Sequence, residues 1–222
     1  MVDFATQRKN MVESQVRPSD ITDRRIIRAM LDLPREAFCP PAMRATAYRD
    51  EMLAVNDAKG PRARFAAAPR TLAKMIQALE LGDNDSVLEI GSGTGYGAAV
   101  LSRLAAKVIA VEPDAALAAA ARTALAENGA ANVTVIEGDC SAGHASGAPY
   151  DAILINGAVA QVPRAILDQL KDGGRLVTVV SDGSFGRLTV WRRLGGAFDS
   201  RVLLDASAPA LAGFEKPAAF VF

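Results

Sequence analysis

The sequence predicts an α/β fold in which a mostly parallel, doubly wound sheet ends in an antiparallel pair. Strand-like apolar runs alternate with helical segments after residue 69, which is typical of a parallel sheet with helices on both faces. A glycine-rich turn, "GSGTGYG", joins the first of these strands to a helix. Near the end, "RLTVWRR" and "SRVLLD" are separated only by "LGGAF", which predicts a hairpin.

Composition favours one large, soluble, globular unit. The chain has 222 residues, half of them hydrophobic and 23% charged, with a formal net charge of zero. It lacks the basic stripe of a nucleic-acid binder, and it lacks any apolar run of about 18 residues that could span a membrane. We therefore expect it to bind neither nucleic acid nor a membrane. The polar start, "MVDFATQRKNMVESQ", lacks the apolar stretch of a secretory signal, and we expect a cytoplasmic protein.

Metal and disulfide sites are not expected. Cys39 and Cys140 form no C-x-x-C motif, and His144 is the single histidine of the chain. Both thiols are therefore interpreted as small buried hydrophobic groups.

Residues 1–68 are predicted to be a helical and irregular extension, and residues 69–222 the α/β domain, together one compact unit. In "SDITDRRIIRAMLDL", Asp20 is a candidate cap for a short amphipathic helix, with Asp23 in the first turn. The proline-rich "LPREAFCPP" ends that helix, and irregular sequence continues from there.

The α/β domain begins with a helix, because Pro69 suits a first helical turn and apolar residues follow at helical spacing. Strands and helices then alternate. The predicted strands are "SVLEI", "KVIAVE", "VTVIEG", "DAILIN" and "GRLVTVV", and the predicted helices cover residues 96–104, 114–128 and 163–171.

The glycine turn in "VLEIGSGTGYG" carries the strongest chemical signal. Glycines there let the backbone turn sharply and approach a ligand, while the following helix presents free N–H groups. Gly93-x-Gly95-x-x-Ala98, with Glu112 19 residues beyond Gly93, also fits the dinucleotide fingerprint. In either case Glu112, at the end of the next strand, would bind ribose hydroxyls. The loop alone therefore indicates a nucleoside-type ligand without deciding which one.

Two further carboxylates lie at or near strand ends. Glu89 precedes the loop on a buried strand, where a carboxylate needs a partner; it could orient the loop or meet a cationic group of a ligand. Asp139, in "IEGDCSAG", ends the third strand at the same edge of the sheet, where it could accept a hydrogen bond from an adenine amino group.

The pattern E-x-G-x-G-x-G, an acid ending the second strand and G-D ending the third resembles the class I methyltransferases that bind S-adenosylmethionine. The resemblance implies a Rossmann-like sheet of seven strands with antiparallel last strands, and S-adenosylmethionine as cofactor with S-adenosylhomocysteine as product. It implies a cofactor site composed of Glu89, Gly91, Ser92, Gly93, Thr94, Gly95, Glu112, Pro113, Asp139 and Cys140.

A narrower resemblance covers about residues 8–180. "ITDRRIIRAMLDLPREAFCP", "AYRDEML", "PYDAILINGA" and "VPRAILDQLKDGGRLV" are similar, in order, to segments of the protein-L-isoaspartate O-methyltransferases. That resemblance implies methylation of the carboxylate of isoaspartyl residues in damaged proteins. A carboxylate is already ionised at pH 7, so its attack on a methyl group needs no general base. His144 is therefore not needed as a base, and no catalytic residue is assigned.

The chain departs from this family just before the α/β domain. The family's loop has the form G-x-x-x-S-x-P, and alignment on Pro69 places Ala63 at the glycine position and Ala67 at the serine position. Arg62 and Arg64, in "KGPRARFAAAP", lie where an acidic substrate would enter and are candidate substrate-binding residues.

Four functions follow from these residues. The first is carboxyl methylation of isoaspartyl residues in a protein or peptide. The second is methylation of a different acceptor, and the third is binding of S-adenosylmethionine without transfer, as in a sensor. The fourth, a nicotinamide oxidoreductase, leaves the N-terminal segments and "GDC" unexplained. Oligomeric state is not readable from the sequence.

Overall fold

A seven-stranded sheet forms the centre of the protein in a computed structural model, which describes residues 3–58, 63–183 and 185–215. The strands lie side by side in the order β5 (Val133–Glu137), β4 (Lys107–Glu112), β3 (Ser86–Ile90), β6 (Tyr150–Val159), β7 (Leu170–Ser181), β8 (Gly186–Leu194) and β9 (Ala197–Asp205). Strands β3 to β7 pair in parallel, whereas β8 runs antiparallel to β7 and β9 antiparallel to β8. The predicted fold class is therefore confirmed, including the terminal hairpin.

The helices and strands have the following bounds. The α-helices are α1 Phe4–Met11, α2 Arg24–Asp32, α3 Pro69–Ala78, α4 Tyr96–Leu101, α5 Ala115–Glu127 and α6 Arg164–Leu167. Two short strands, β1 Leu53–Ala54 and β2 Phe65–Ala66, pair antiparallel before α3.

Side chains alternate between the two faces of the sheet, as the two-residue period of a strand requires. Val87, Ala110 and Leu154 belong to a core cluster shared with α2, α3, α4 and α5, whereas Leu88 and Ile155 belong to a second cluster. Because the central strands are buried on both faces, they are almost uniformly apolar.

The second face of the sheet is covered by α6, short 3₁₀ turns and the chain after β9. Leu211 and Phe214 are buried in that second cluster. Ala158 donates its N–H to Pro209 O at 2.6 Å and accepts from Leu211 N at 2.9 Å, which attaches this last segment to the end of β6. Residues 207–215 therefore act as part of the α/β domain rather than as a loose tail.

The N-terminal extension packs into the first core cluster. Val12, Ile26 and Met30 are fully buried there together with Leu72 and Ile76 of α3. The extension is thus continuous with the main core, and the division at residues 68 and 69 stays a prediction. None of the helices in the described ranges is long and apolar enough to cross a membrane.

Two local expectations are wrong. Asp23, not Asp20, caps α2: its side chain accepts the N–H of Arg25, whereas Asp20 has a left-handed backbone conformation. The helix expected over residues 163–171 ends at Leu167, because Leu170 already pairs with Tyr150 in the sheet. Tertiary pairing overrides helix propensity there.

Candidate functional site

The glycine turn leaves β3 at the edge of the sheet where all the parallel strands end. Gly91, Gly93 and Gly95 have φ values of 79°, 56° and 91°, a region that other residues rarely adopt. A Cβ on Gly93 would meet a single atom within 4 Å, a Val55 methyl carbon at 3.9 Å. The backbone is therefore open to a ligand at Gly93, at the start of α4.

Glu112 ends β4 beside this turn and is completely buried. Its Oε2 accepts the N–H of Gly93 at 2.8 Å, and its Oε1 accepts the N–H of Asp114 at 3.2 Å. The Arg64 guanidinium donates to both oxygens, at 2.8 and 3.0 Å. A carboxylate has about four lone-pair sites, so Glu112 is fully hydrogen-bonded in this state.

Glu89 is the second buried carboxylate, and it lies on the same face of the sheet as Asn156. Leu154 is the register partner of Glu89, and Asn156 lies two residues further along β6. Asn156 Nδ2 donates to Glu89 Oε1 at 2.8 Å. Complete burial raises the pKa of Glu89 to about 8, the hydrogen bond from Asn156 lowers it in part, and the charge of Glu112 adds to the increase.

Gly97 makes room for the Glu89 carboxylate. A Cβ at Gly97 would overlap Glu89 Oε1 and would lie 2.8 Å from Asn156 Nδ2. Gly97, the fourth glycine of the motif, thus leaves space for the buried carboxylate, whereas Gly93 leaves the backbone accessible to a ligand. Glu89 Oε2 and Asn156 Oδ1 have no hydrogen-bond partner in the described structure.

Arg35 is a buried cation next to the glycine turn. It is 1% exposed, donates to Ala47 O at 2.9 Å and to Ala67 O at 2.8 Å, and stacks on the Tyr96 ring with 4.7 Å between Cζ and the ring centroid. Its Nη1 has no hydrogen-bond partner, and no carboxylate in the described ranges forms an ion pair with it. An uncompensated buried charge of this kind is costly, so it favours a polar or anionic neighbour.

A cavity of about 20 Å³ lies between Arg35, Ala67 and the glycine turn. Its lining includes Ser92, Tyr96 and Asn156, and each of these residues has a buried oxygen without a partner. A polar space of this size accommodates about one water molecule. Ala67 lines this space and therefore borders a group of polar atoms with unused hydrogen-bonding capacity.

Asp139 follows β5 at the same edge. Glu137 is the register partner of Glu112, and Asp139 lies two residues beyond it. Its Oδ1 accepts the N–H of Ser141 at 2.8 Å, and the Ser141 hydroxyl donates to both carboxylate oxygens. Cys140 is buried, which raises the pKa of its thiol to about 12 and leaves it an inert, uncharged side chain.

The chain after β9 contacts the same region. A Cβ at Gly91 would lie 2.7 Å from Leu211 Cδ2, and a Cβ at Gly213 would lie 4.0 Å from Asp139 Oδ1. Leu211 therefore packs on the glycine turn, and the same segment comes close to Asp139 at Gly213.

The structure brings most of the expected cofactor residues to this one edge. Ser92 and Thr94 are buried, Pro113 is exposed beside Glu112, and the Thr94 hydroxyl donates to Phe38 O at 2.5 Å. Arg64 contacts Glu112 rather than open solvent, with its side chain 16% exposed. Arg62 lies outside the described residues.

The sequence interpretation missed Arg35, Asn156 and the segment at Leu211. For Asn156 a signal was present, because an amide ends the otherwise apolar run "DAILI" beside the strand of Glu89. Arg35 stands between two prolines, Pro34 and Pro40, in a segment without periodicity, so its burial has no local signature.

Fold and site together define a Rossmann-like methyltransferase. The backbone is open at Gly93, the buried acid Glu112 ends β4 beside the glycine turn, and Glu89 Oε2 and Asn156 Oδ1 have no hydrogen-bond partner in the described structure. These features fit a nucleoside cofactor that carries an amino acid.

Comparison with known proteins assigns the family. The family model described as "Protein-L-isoaspartate(D-aspartate) O-methyltransferase (PCMT)" matches residues 6–205. A protein-L-isoaspartate O-methyltransferase of Koribacter versatilis (strain Ellin345) is 39% identical over 210 residues, which cover 95% of this chain and 92% of that protein. This chain belongs to the protein-L-isoaspartate O-methyltransferase family, and the expected S-adenosylmethionine-dependent O-methyltransferase is confirmed at that level.

Solved structures agree with the fold. A protein-L-isoaspartate O-methyltransferase superimposes with a TM-score of 0.81 at 26% identity, over 93% of this chain and 66% of that one. A putative protein-L-isoaspartate O-methyltransferase from Plasmodium falciparum, solved with S-adenosyl-L-homocysteine, superimposes with a TM-score of 0.76 at 16% identity. The match covers 95% of this chain and 99% of that one, and it is evidence for the fold alone.

Proposed function

We propose that this protein transfers a methyl group from S-adenosylmethionine to the carboxylate of isoaspartyl residues in proteins or peptides. The family match over residues 6–205 supports the reaction. The observation in the structure that carries the proposal is the pair of buried carboxylates, Glu89 and Glu112, on either side of an open glycine turn.

The two carboxylates are suited to the two ends of one cofactor. Glu112 is at the ribose end, next to the Gly93 N–H, and Asp139 lies at the same edge for the adenine. Glu89 Oε2 and Asn156 Oδ1 have no hydrogen-bond partner, so both can accept from the ammonium group of the methionyl part once the Glu89 carboxyl is ionised, and the charge of the ammonium favours that ionisation. The cofactor would supply a methyl group on a positively charged sulfur atom.

The acceptor carboxylate needs to be positioned next to the methyl group, but it does not need to lose a proton. An ionised carboxylate attacks the methyl carbon directly, the new C–O bond forms as the C–S bond breaks, and no proton moves. Holding two reactants in line lowers a barrier by several kcal/mol without any acid or base. His144 is not placed to act as a base, because its ring Nε2 pairs with the Ser146 hydroxyl of its own loop and its backbone N–H donates to Gln169.

Ala67 is compatible with this function. Two arginines carry positive charge close to Ala67. Arg35 is buried beside this residue, and Arg64 lies three residues before it, directly ahead of the strand Phe65–Ala66. The cavity at Ala67 is polar and has room for a water molecule, which can replace a missing hydroxyl at the cost of its immobilisation. Loss of the serine therefore removes one hydrogen bond but leaves the charge that attracts a carboxylate.

The fate of the product tests the proposal. The protein is incubated with S-adenosylmethionine and an isoaspartyl peptide, and methylated peptide is followed by mass spectrometry. A methyl ester of an isoaspartyl residue closes to a succinimide, so we expect a methylated species that decays at neutral pH within hours. A methylated product that persists for days would mean that another group was the acceptor.

A further inference from the structure

The Arg64–Glu112 ion pair occupies the hydrogen-bonding sites that a ribose would use. Each Glu112 oxygen accepts one backbone N–H and one Arg64 N–H, at distances of 2.8 to 3.2 Å. The backbone donors, Gly93 and Asp114, are fixed by the turn and by the start of α5. Two ribose hydroxyls can therefore reach Glu112 only by replacing the two N–H groups of Arg64.

The Arg64 side chain can move away from Glu112 without a change in the backbone. Its N–H donates to Asn56 Oδ1 at 2.9 Å, and its carbonyl accepts the N–H of Val55 at 2.9 Å. The next residues, Phe65–Ala66, form the short antiparallel ladder with Leu53–Ala54. The main chain is thus held on both sides, while the arginine side chain keeps several rotatable bonds.

A released Arg64 needs another anion. Its side chain is only 16% exposed, and a guanidinium has five donors and cannot lose its proton. Arg64 is joined through Phe65–Ala66 to Ala67, which lines the cavity at the glycine turn. The acceptor carboxylate, which must approach the methyl group at this turn, is the anion that the proposed reaction brings to the site.

The geometry points to an exchange of ion pairs: Arg64 holds Glu112 before the cofactor binds and the acceptor carboxylate afterwards. This inference rests on the proposed function, and it makes Arg64 a residue that positions and selects an acidic acceptor. It also makes binding ordered, with the cofactor first, because Arg64 is free for the acceptor only after the ribose has displaced it.

Substitution of Arg64 gives opposite effects on the two ligands. In Arg64→Met, which keeps bulk and removes every donor, S-adenosylhomocysteine should bind about fivefold more tightly by calorimetry, because its competitor for Glu112 is gone. The KM for an isoaspartyl peptide should rise at least about tenfold, since a charge-assisted bond is lost. Arg64→Lys should recover part of that KM, and Arg28→Ala, at an exposed arginine on α2, should change neither value.

A double substitution tests whether Arg64 acts through Glu112. In a Glu112→Gln background, Arg64→Met should no longer tighten binding of S-adenosylhomocysteine. Weaker or unchanged binding in Arg64→Met alone, or a gain that persists with Glu112→Gln, would overturn the exchange. The binding measurements do not depend on turnover. They therefore test the ion-pair exchange even if the peptide is not methylated and the proposed function is wrong.

Discussion

Replacing Glu89 with glutamine tests the electrostatics of the site while the shape of the side chain is kept. Glu89 is completely buried, and its pKa is raised from 4.5 to about 8, first by desolvation. Glutamine cannot ionise. Its oxygen can accept from Asn156 Nδ2, and its amide can donate to Asn156 Oδ1, which otherwise has no partner.

The pH dependence has a defined sign. Between about pH 4.5 and 8 the unfolded chain has Glu89 ionised while the folded protein keeps it protonated, so the folded state binds one more proton. The free energy of unfolding of the wild type therefore falls as pH rises through this window, by up to about 1.4 kcal/mol per pH unit. Glu89→Gln lacks this pH-dependent loss. Its free energy of unfolding, relative to that of the wild type, should therefore increase by about 3–4 kcal/mol from pH 5 to pH 8.

Urea unfolding of both proteins, without cofactor, at pH 5 and pH 8 measures this difference. Glu127→Gln, at an exposed position on α5, is the matched control and should track the wild type at both pH values. Parallel changes in Glu89→Gln and wild type between pH 5 and pH 8 would refute the assignment of a protonated Glu89 in the free protein.

Three further substitutions test the site. Gly97→Ala should lower the free energy of unfolding by at least about 2 kcal/mol in urea melts, because its Cβ overlaps the Glu89 carboxylate; Gly196→Ala, with nothing near its Cβ, is the control, and equal stabilities would contradict the packing. Glu112→Ala should weaken binding of S-adenosylhomocysteine by about 1–3 kcal/mol in calorimetry, and unchanged affinity would mean that the ribose lies elsewhere. Ala67→Ser should raise kcat/KM for an isoaspartyl peptide several-fold, because its hydroxyl can use the polar atoms around the cavity. No change in kcat/KM would show that the water-sized space already supplies that hydrogen bond.

The order of the strands and the place of the site follow from local sequence. The apolar strands, the glycine turn and Glu112 at a strand end each have a short-range signature, and parallel strands must bring their ends to one edge. These signatures therefore place Glu89, Gly93 and Glu112 at one edge of the sheet without a structure. Side chains alternate between the two faces of the sheet along β6, and this alternation puts Asn156 on the same face as Glu89. The contact between the two side chains was therefore also predictable.

Contacts between distant segments were not predictable in this way. The burial of Arg35 depends on carbonyl groups at Ala47 and Ala67, 12 and 32 residues away. The Arg64–Glu112 pair spans 48 residues, and Leu211 reaches Gly91 from the far end of the chain. No period or motif encodes such pairs, because they arise only when the elements pack.

Transfer of a labelled methyl group from S-adenosylmethionine to matched peptides tests the central claim most directly. One peptide contains an isoaspartyl residue, and the other has the same sequence with a normal aspartyl residue. We expect label on the isoaspartyl peptide alone, which would mean that Ala67 is a tolerated variation within this family. Protein that binds the cofactor but labels neither peptide, or labels both equally, would contradict isoaspartyl methylation as the function of this site.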